Sequence, residues 1–313
     1  GSASIAFASP SVLYGDTNRL LLNTMSVDNS GVTVTGTNQF FALDSIILAN
    51  GLVYGASGSV INPTTGELVG NFSVSSFTNA IHAIDVANSR AFFLVSTASG
   101  LQIGAYDLNT FLLVGFINIT GVTGVPRALV RWGVNGLALT TDNRSVVLVE
   151  TSLVNANVAV PSPTPTPSPS PSPSPYIPTF IKRVDLPVNN LVASEATHAL
   201  YASVPSSAGA NGNSITKINP ETGVVGPSVF IGSEPNKLAI SNDGQTIWAH
   251  LIGAQAARRF DVLTETPGMQ FDTTPVPPTD MDVVPGSSQS VALSVGGEVS
   301  IYDAGVKRPN TSN

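Results

Sequence analysis

The chain has 313 residues, of which 42% are hydrophobic and 11% are charged, and it carries a net charge of −7. Its basic residues form no cluster beyond short pairs such as Arg258–Arg259, which argues against nucleic-acid binding. No apolar run reaches membrane-spanning length. The absence of cysteine excludes disulfides, cysteine metal ligands and a thiol nucleophile.

The residue types indicate an all-β protein. Val, Ile, Thr, Ser and Phe are frequent, and long runs rich in Glu, Lys and Ala are absent. The 28 glycines and 23 prolines point to many turns.

One hairpin pattern recurs along the chain, with an apolar strand, a short polar turn and a second strand that carries an aromatic or large aliphatic residue. The seven copies begin at Ser4, Ser45, Ala83, Leu129, Leu191, Leu238 and Met281. Without the proline tract described below, their spacing is roughly 40 to 47 residues, within the range of propeller blades.

A second repeat follows these hairpins. Gly58–Gly70 matches Asn213–Gly226, and each contains a strand ending in Ile-Asn-Pro, a Thr-Gly turn and a new apolar run. Weaker copies run over Gly104–Gly115, Arg258–Gly268 and Ser300–Lys307. The two repeats together predict units of four short antiparallel strands and a seven-bladed β-propeller. Rings of six or eight blades, or two β-sandwiches flanking the tract, are the alternatives.

The combination of an Asp-Gly turn, a following Trp or Tyr and the Ile-Asn-Pro-x-Thr-Gly motif resembles the YVTN/YncE-like and surface-layer-type propeller families. The resemblance covers nearly the whole chain and implies the propeller fold and a place mostly outside bacterial cells. It says little about function. The absence of cysteine and the many Ser, Thr, Asn and Gly residues also fit an exported protein. We therefore expect an extracellular or cell-surface location.

Strict alternation of proline with serine or threonine marks the tract at 161–178, which predicts an extended polyproline II spacer. The expected organisation is blades one to four in 1–160, the linker in 161–178, and a closing strand with blades five to seven in 179–313. Since four or three blades alone make a poor ring, the tract interrupts one composite propeller, or the halves are shared between neighbouring units.

The tract lies where the termini of a propeller would ordinarily meet, so it is the best candidate for a connection between units. At about 3.1 Å per residue it spans on the order of 45 Å, about a propeller's width. We expect copies of the chain to associate as a homopolymer or as tandem modules. The predicted assembly residues are Pro161, Pro163, Pro165, Pro167, Pro169, Pro171, Pro173, Pro175, Tyr176, Phe180, Ile181 and Val184. The candidate O-glycosylation sites, which would carry glycans, are Ser162, Thr164, Thr166, Ser168, Ser170, Ser172 and Ser174.

Residues that could bind a metal ion or take part in catalysis are scattered along the chain. The three histidines, His82, His198 and His250, fall in different blades without metal-ligand spacing, so we expect structural roles. Asp107, Asp261 and Asp303 precede turns at positions where Asn62 and Asn219 stand in sister repeats, which favours turn capping over catalysis. Asp280 and Asp282 alternate in a strand and share a face, with calcium binding as a lesser alternative.

The sequence thus predicts a non-enzymatic structural or interaction propeller, without catalytic residues, metal or cofactor. A propeller hydrolase or lactonase with an axial metal is one alternative. The other is a carbohydrate-binding surface module that uses exposed aromatic residues such as Tyr14, Tyr54 or Tyr201, although we expect most of these to be core strand residues.

Overall fold

The computed structural model describes residues 4–17, 21–39, 43–74, 80–155 and 180–312. These residues form seven four-stranded antiparallel sheets. The first strand of each sheet packs against the first strands of the two neighbouring sheets. The first strand of the seventh sheet packs against that of the first sheet, which closes the ring. The predicted seven-bladed β-propeller is therefore confirmed, and the six-blade, eight-blade and sandwich alternatives are wrong.

Every blade is built from strands that are consecutive in the chain. Blade one contains β1 (Ile5–Ser9), β2 (Val12–Thr17), β3 (Leu21–Asp28) and β4 (Gly31–Gln39). Blade two contains β5 (Ile46–Ala49), β6 (Leu52–Gly55), β7 (Ser59–Asn62) and β8 (Glu67–Asn71). Blade three contains β9 (Ile81–Asp85), β10 (Arg90–Thr97), β11 (Gly100–Asp107) and β12 (Leu113–Ile119).

The other four blades complete the ring. Blade four contains β13 (Pro126–Trp132), β14 (Gly136–Thr141), β15 (Val146–Glu150) and β16 (Phe180–Val184). Blade five contains β17 (Asn190–Ser194), β18 (Ala199–Val204), β19 (Ser214–Ile218) and β20 (Val225–Phe230). Blade six contains β21 (Pro235–Ile240), β22 (Thr246–Leu251), β23 (Ala256–Asp261) and β24 (Thr266–Asp272). Blade seven contains β25 (Asp280–Val283), β26 (Ser290–Val295), β27 (Glu298–Asp303) and β28 (Val306–Lys307).

Helical structure in the described residues is limited to two short 3-10 segments, Ser152–Val154 and Ser206–Asn211. Neither could cross a membrane, and none of the other described residues forms a long apolar helix.

The core lies between the blades, because successive side chains of a strand point to opposite faces of its sheet. In β22, Ile247 and Leu251 pack toward blade five, whereas Trp248 packs toward blade seven. The Trp248 Nε1–H also donates to the Ser288 carbonyl at 3.2 Å. Middle strands are therefore buried on both faces, which explains why they are apolar nearly throughout.

Turn capping is confirmed at the repeated Asn and Asp positions. The Asn62 side chain accepts from the Thr64 N–H at 2.9 Å, and Asn219 accepts from the Thr222 N–H at 2.9 Å. Asp107 and Asp261 cap the equivalent turns in blades three and six. Blade seven differs, because Asp303 accepts from the Ser290 hydroxyl and from the Arg308 guanidinium.

Five of the outer strands carry a β-bulge beside or at a glycine. A register shift occurs where each of these outer strands pairs with the strand before it, namely in β4, β8, β12, β20 and β24. The glycines at these shifts are Gly36, Gly70, Gly115, Gly226 and Gly268. Four of them are the final residues of the sequence repeats. A glycine tolerates the local bend, so the repeat encodes where each outer strand curves.

Candidate functional site

Blade four is a composite of two separate chain segments. Its first three strands end at Glu150, and its outer strand begins at Phe180. Strand β16 pairs with β15 through consecutive partners from Val146 with Val184 to Glu150 with Phe180, without the register shift found in five other blades. Residues 180–184 thus supply the outer strand of blade four.

Strand β16 covers a fully buried strand. The β15 residues Val146, Val147, Leu148 and Val149 are 0% exposed. Removing β16 would leave the hydrogen-bonding edge of β15 open beside this apolar surface. An uncovered edge of this kind pairs readily with another strand.

The described assembly residues divide between the core and the surface. Val184 is buried, and Phe180 packs against the cluster between blades four and five. Ile181 points outward and is 42% exposed. The Lys182 ammonium donates to the Thr222 carbonyl of blade five, so β16 also joins two blades.

The remaining assembly residues, from Pro161 to Tyr176, and the seven candidate O-glycosylation residues lie outside the described residues. The chain before them is anchored at the boundary of blades three and four. Leu153 and Val154 are fully buried there. The Asn155 carbonyl accepts from the Arg90 guanidinium at 3.2 Å.

The seam between blades seven and one is held by two carboxylates. The Asp280 carboxylate accepts from the Ile5 N–H and from the Ser4 hydroxyl, both at 3.0 Å. The Asp282 carboxylate accepts from the Phe7 N–H at 3.1 Å. The predicted common face of Asp280 and Asp282 is confirmed, and it faces the inner edge of β1. Side chains therefore close the ring where neighbouring inner strands meet.

The two carboxylates at this seam have different charged neighbours. The Lys237 ammonium of blade six lies 3.3 Å from Asp280. For Asp282, burial first and the nearby Asp280 charge second raise the pKa to about 7. The two carboxylates thus differ in environment although they stand two residues apart. Among the described residues, no three His, Asp or Glu side chains form a group that could hold a metal ion.

The histidines do not converge. The His82 Nε2–H donates to the Tyr54 carbonyl at 2.9 Å, and burial lowers its pKa to about 4. His250 is buried between blades six and seven, and burial likewise lowers its pKa to about 4. His198 is exposed in the turn after β17. His82 therefore stays neutral and joins blade two to blade three, in line with the expected structural role.

The tyrosines of the carbohydrate alternative are core residues. Tyr14, Tyr54 and Tyr201 are 7%, 3% and 1% exposed. The expectation that most of them are core strand residues is confirmed, because the strands that carry them are covered by blades on both sides. These tyrosines therefore provide no exposed aromatic surface for a carbohydrate.

No protein-family model and no curated protein matches the sequence. Many solved structures are similar to it, including the following two. Hydrazine synthase from Kuenenia stuttgartiensis is 12% identical with a TM-score of 0.66, covering 95% of this chain and 94% of that chain. A functionally unknown protein from Desulfotomaculum acetoxidans is 12% identical with a TM-score of 0.67, covering 98% and 94%. The resemblance to YVTN/YncE-like propellers stays a prediction, and likeness at this identity extends to the seven-bladed fold alone.

Proposed function

We propose that the chain is an extracellular structural module that associates with copies of itself by exchanging the outer strand of blade four. The observation that carries the proposal is the composite blade, in which a regular strand from a separate segment covers the buried edge of β15. Backbone pairing of this type is how proteins bind an added strand.

The same contacts serve a strand from the same chain or from a neighbour. The β16 hydrogen bonds, the buried Val184 side chain and the Lys182 contact with blade five would be identical in both arrangements. The reach of the chain between β15 and β16 therefore decides whether β16 pairs within its own chain or with a neighbouring copy. If the proline tract forms the polyproline II spacer that the sequence predicts, its reach of on the order of 45 Å favours a neighbouring copy. Head-to-tail exchange that does not close would form a filament.

Composition supports this role and its location. Charged residues make up 11% of the chain, so contact between copies involves little desolvation of charge. The absence of cysteine and the family resemblance favour an exported protein. Sugars on the tract hydroxyls would suit an exposed connection.

A disulfide test separates the two arrangements. Glu150 and Phe180 are partners across β15 and β16. Because the chain has no native cysteine, the double variant Glu150→Cys, Phe180→Cys reports on this one contact. Strand exchange predicts covalent dimers and longer species on a non-reducing gel.

The matched control is Gln102→Cys with Asn118→Cys. These residues pair across β11 and β12, and their side chains are 2.9 Å apart. The control should form only monomeric disulfides. Quantitative monomeric disulfide in the blade-four variant, at every protein concentration, would overturn the exchange proposal.

A further inference from the structure

A short segment crosses from blade seven to blade one at the outer strands of the ring. This clasp segment, residues 308–312, follows β28 and binds blade seven at both of its ends. The Arg308 N–H donates to the Ile301 carbonyl at 2.8 Å, and the Ser312 N–H donates to the Val299 carbonyl at 3.1 Å. The Ser312 hydroxyl accepts from the Val299 N–H at 2.8 Å. The segment therefore lies along the outer edge of β27.

The middle of the clasp segment binds the outer strand of blade one. The Asn310 N–H donates to the Ser30 carbonyl at 2.7 Å, and the Asn310 carbonyl accepts from the Val32 N–H at 3.2 Å. These two bonds make Asn310 a parallel bridge partner of Gly31, at the start of β4. Backbone groups of two blades thus hold one segment between them.

Gly31 and Arg308 fix the clasp segment on blade one. The φ of Gly31 is +135°, and a Cβ atom there would lie 2.0 Å from the Asn310 carbonyl oxygen. Only glycine permits so close an approach of two backbones. The Arg308 guanidinium adds a hydrogen bond to the Asp28 carbonyl at 2.7 Å. The start of β4 is therefore shaped to receive this segment.

Blade seven lacks a full outer strand without the clasp segment. Strand β28 pairs only with Tyr302 and Asp303, at the end of the six-residue β27. The earlier part of β27 contains Val299 and Ile301, which are 2% and 0% exposed. The clasp segment supplies hydrogen bonds along this part. Its loss would uncover the edge of a buried strand, and such an edge pairs readily with other strands.

The seam between blades seven and one differs from the other six contacts between blades. Every other pair of neighbouring blades is consecutive in the chain, so a loop limits how far the two blades can separate. No strand is shared across the seam, because each blade contains its own four strands. Blades seven and one are held by packing, by Asp280 and Asp282 at the inner strands, and by the clasp segment at the outer strands.

We propose that the clasp segment controls opening of the ring at this seam. While it is bound, it covers the outer edges of β27 and β4 where the two blades meet. When it detaches, only the apolar core and the inner carboxylates hold the seam, and blades seven and one separate before any other pair. Detachment breaks few contacts, because the segment is fixed mainly by backbone hydrogen bonds and exposes Pro309 and Asn310. This device is independent of β16 exchange at blade four.

Hydrogen–deuterium exchange read by mass spectrometry tests the proposal, with Gly31→Ala as the variant that displaces the clasp segment. The control is Gly100→Ala, because Gly100 has a φ of +141° and its Cβ would lie 2.8 Å from the Ile119 carbonyl within blade three. We expect Gly31→Ala to raise amide exchange of β1, β25 and β27 roughly tenfold, with blades three to five unchanged. Gly100→Ala should raise exchange in blade three and leave the seam as in the wild type.

A second pair of variants keeps the test decisive if Gly31→Ala does not fold. Asn310→Pro removes the N–H that binds Ser30, whereas Asn310→Ala keeps it and loses only the side-chain contact with the Ser30 hydroxyl at 3.1 Å. Asn310→Pro should raise exchange of the same strands, and Asn310→Ala should not. Seam exchange at the wild-type rate in Asn310→Pro, or faster exchange spread evenly over all seven blades, would overturn the proposal.

Discussion

Replacing Asp282 with asparagine removes the charge from the seam between blades seven and one and keeps an oxygen for the Phe7 N–H. In the folded chain the pKa of Asp282 rises from 3.8 to about 7, chiefly through burial. At about 1.4 kcal/mol per pKa unit, ionisation of this carboxyl costs the folded state at most about 4 kcal/mol.

The direction of the pH effect follows from the raised pKa. Between the unfolded pKa of 3.8 and the folded value of about 7, the folded state retains a proton that the unfolded chain releases. The contribution of Asp282 to stability is therefore present in acid and is lost as the pH rises through about 7. We expect Asp282→Asn to match the wild type near pH 4 and to exceed it by up to about 4 kcal/mol near pH 8.

Urea unfolding at a series of pH values measures this difference. The control is Asp243→Asn, because hydrogen bonds from the Ser241 hydroxyl and the Gln245 N–H lower the pKa of Asp243. That change should reduce stability at high pH, the opposite direction. Parallel pH profiles for the wild type and Asp282→Asn would refute the assignment of a half-buried carboxyl with a raised pKa at the seam.

Two further substitutions test packing. Gly70→Ala should destabilise the ring by about 1–3 kcal/mol, since the new methyl group would overlap the Phe111 ring. Gly36→Ala, at the equivalent bulge, should have little effect, because the new methyl group would have no neighbour closer than 3.9 Å. Thermal unfolding of both variants measures the contrast. Arg90→Met should lower the free energy of unfolding, measured in urea, by about 3–5 kcal/mol, because it leaves Asp107 without the buried guanidinium 3.1 Å away. A decrease below about 1 kcal/mol would contradict a structural role for this ion pair.

Local chemistry could be read from the sequence because it acts over a few residues. The turn after Asn62 needs only the Asn side chain and the amides that follow it. The blade repeats are local in the same sense. Four of the five glycines at the outer-strand bulges were also visible, as the final residues of the repeats, although their meaning became clear only with the strand register.

The partners of the seam residues could not be read in this way. Sequence alternation places Asp280 and Asp282 on one face, but Ile5 and Phe7 lie 275 positions earlier in the chain. The raised pKa of Asp282 depends on burial by that distant strand.

The sequence by itself predicted the strands, the turns and a ring of about seven blades, because hydrogen bonding and alternation within a blade follow from neighbouring residues. Only the tertiary structure decided which side chains meet between blades, since closing a ring brings together residues with no local relation. It showed that the Asp282 carboxylate meets the Phe7 N–H and that the His82 imidazole meets the Tyr54 carbonyl. Both results depend on packing between sheets, which a single strand's pattern does not encode.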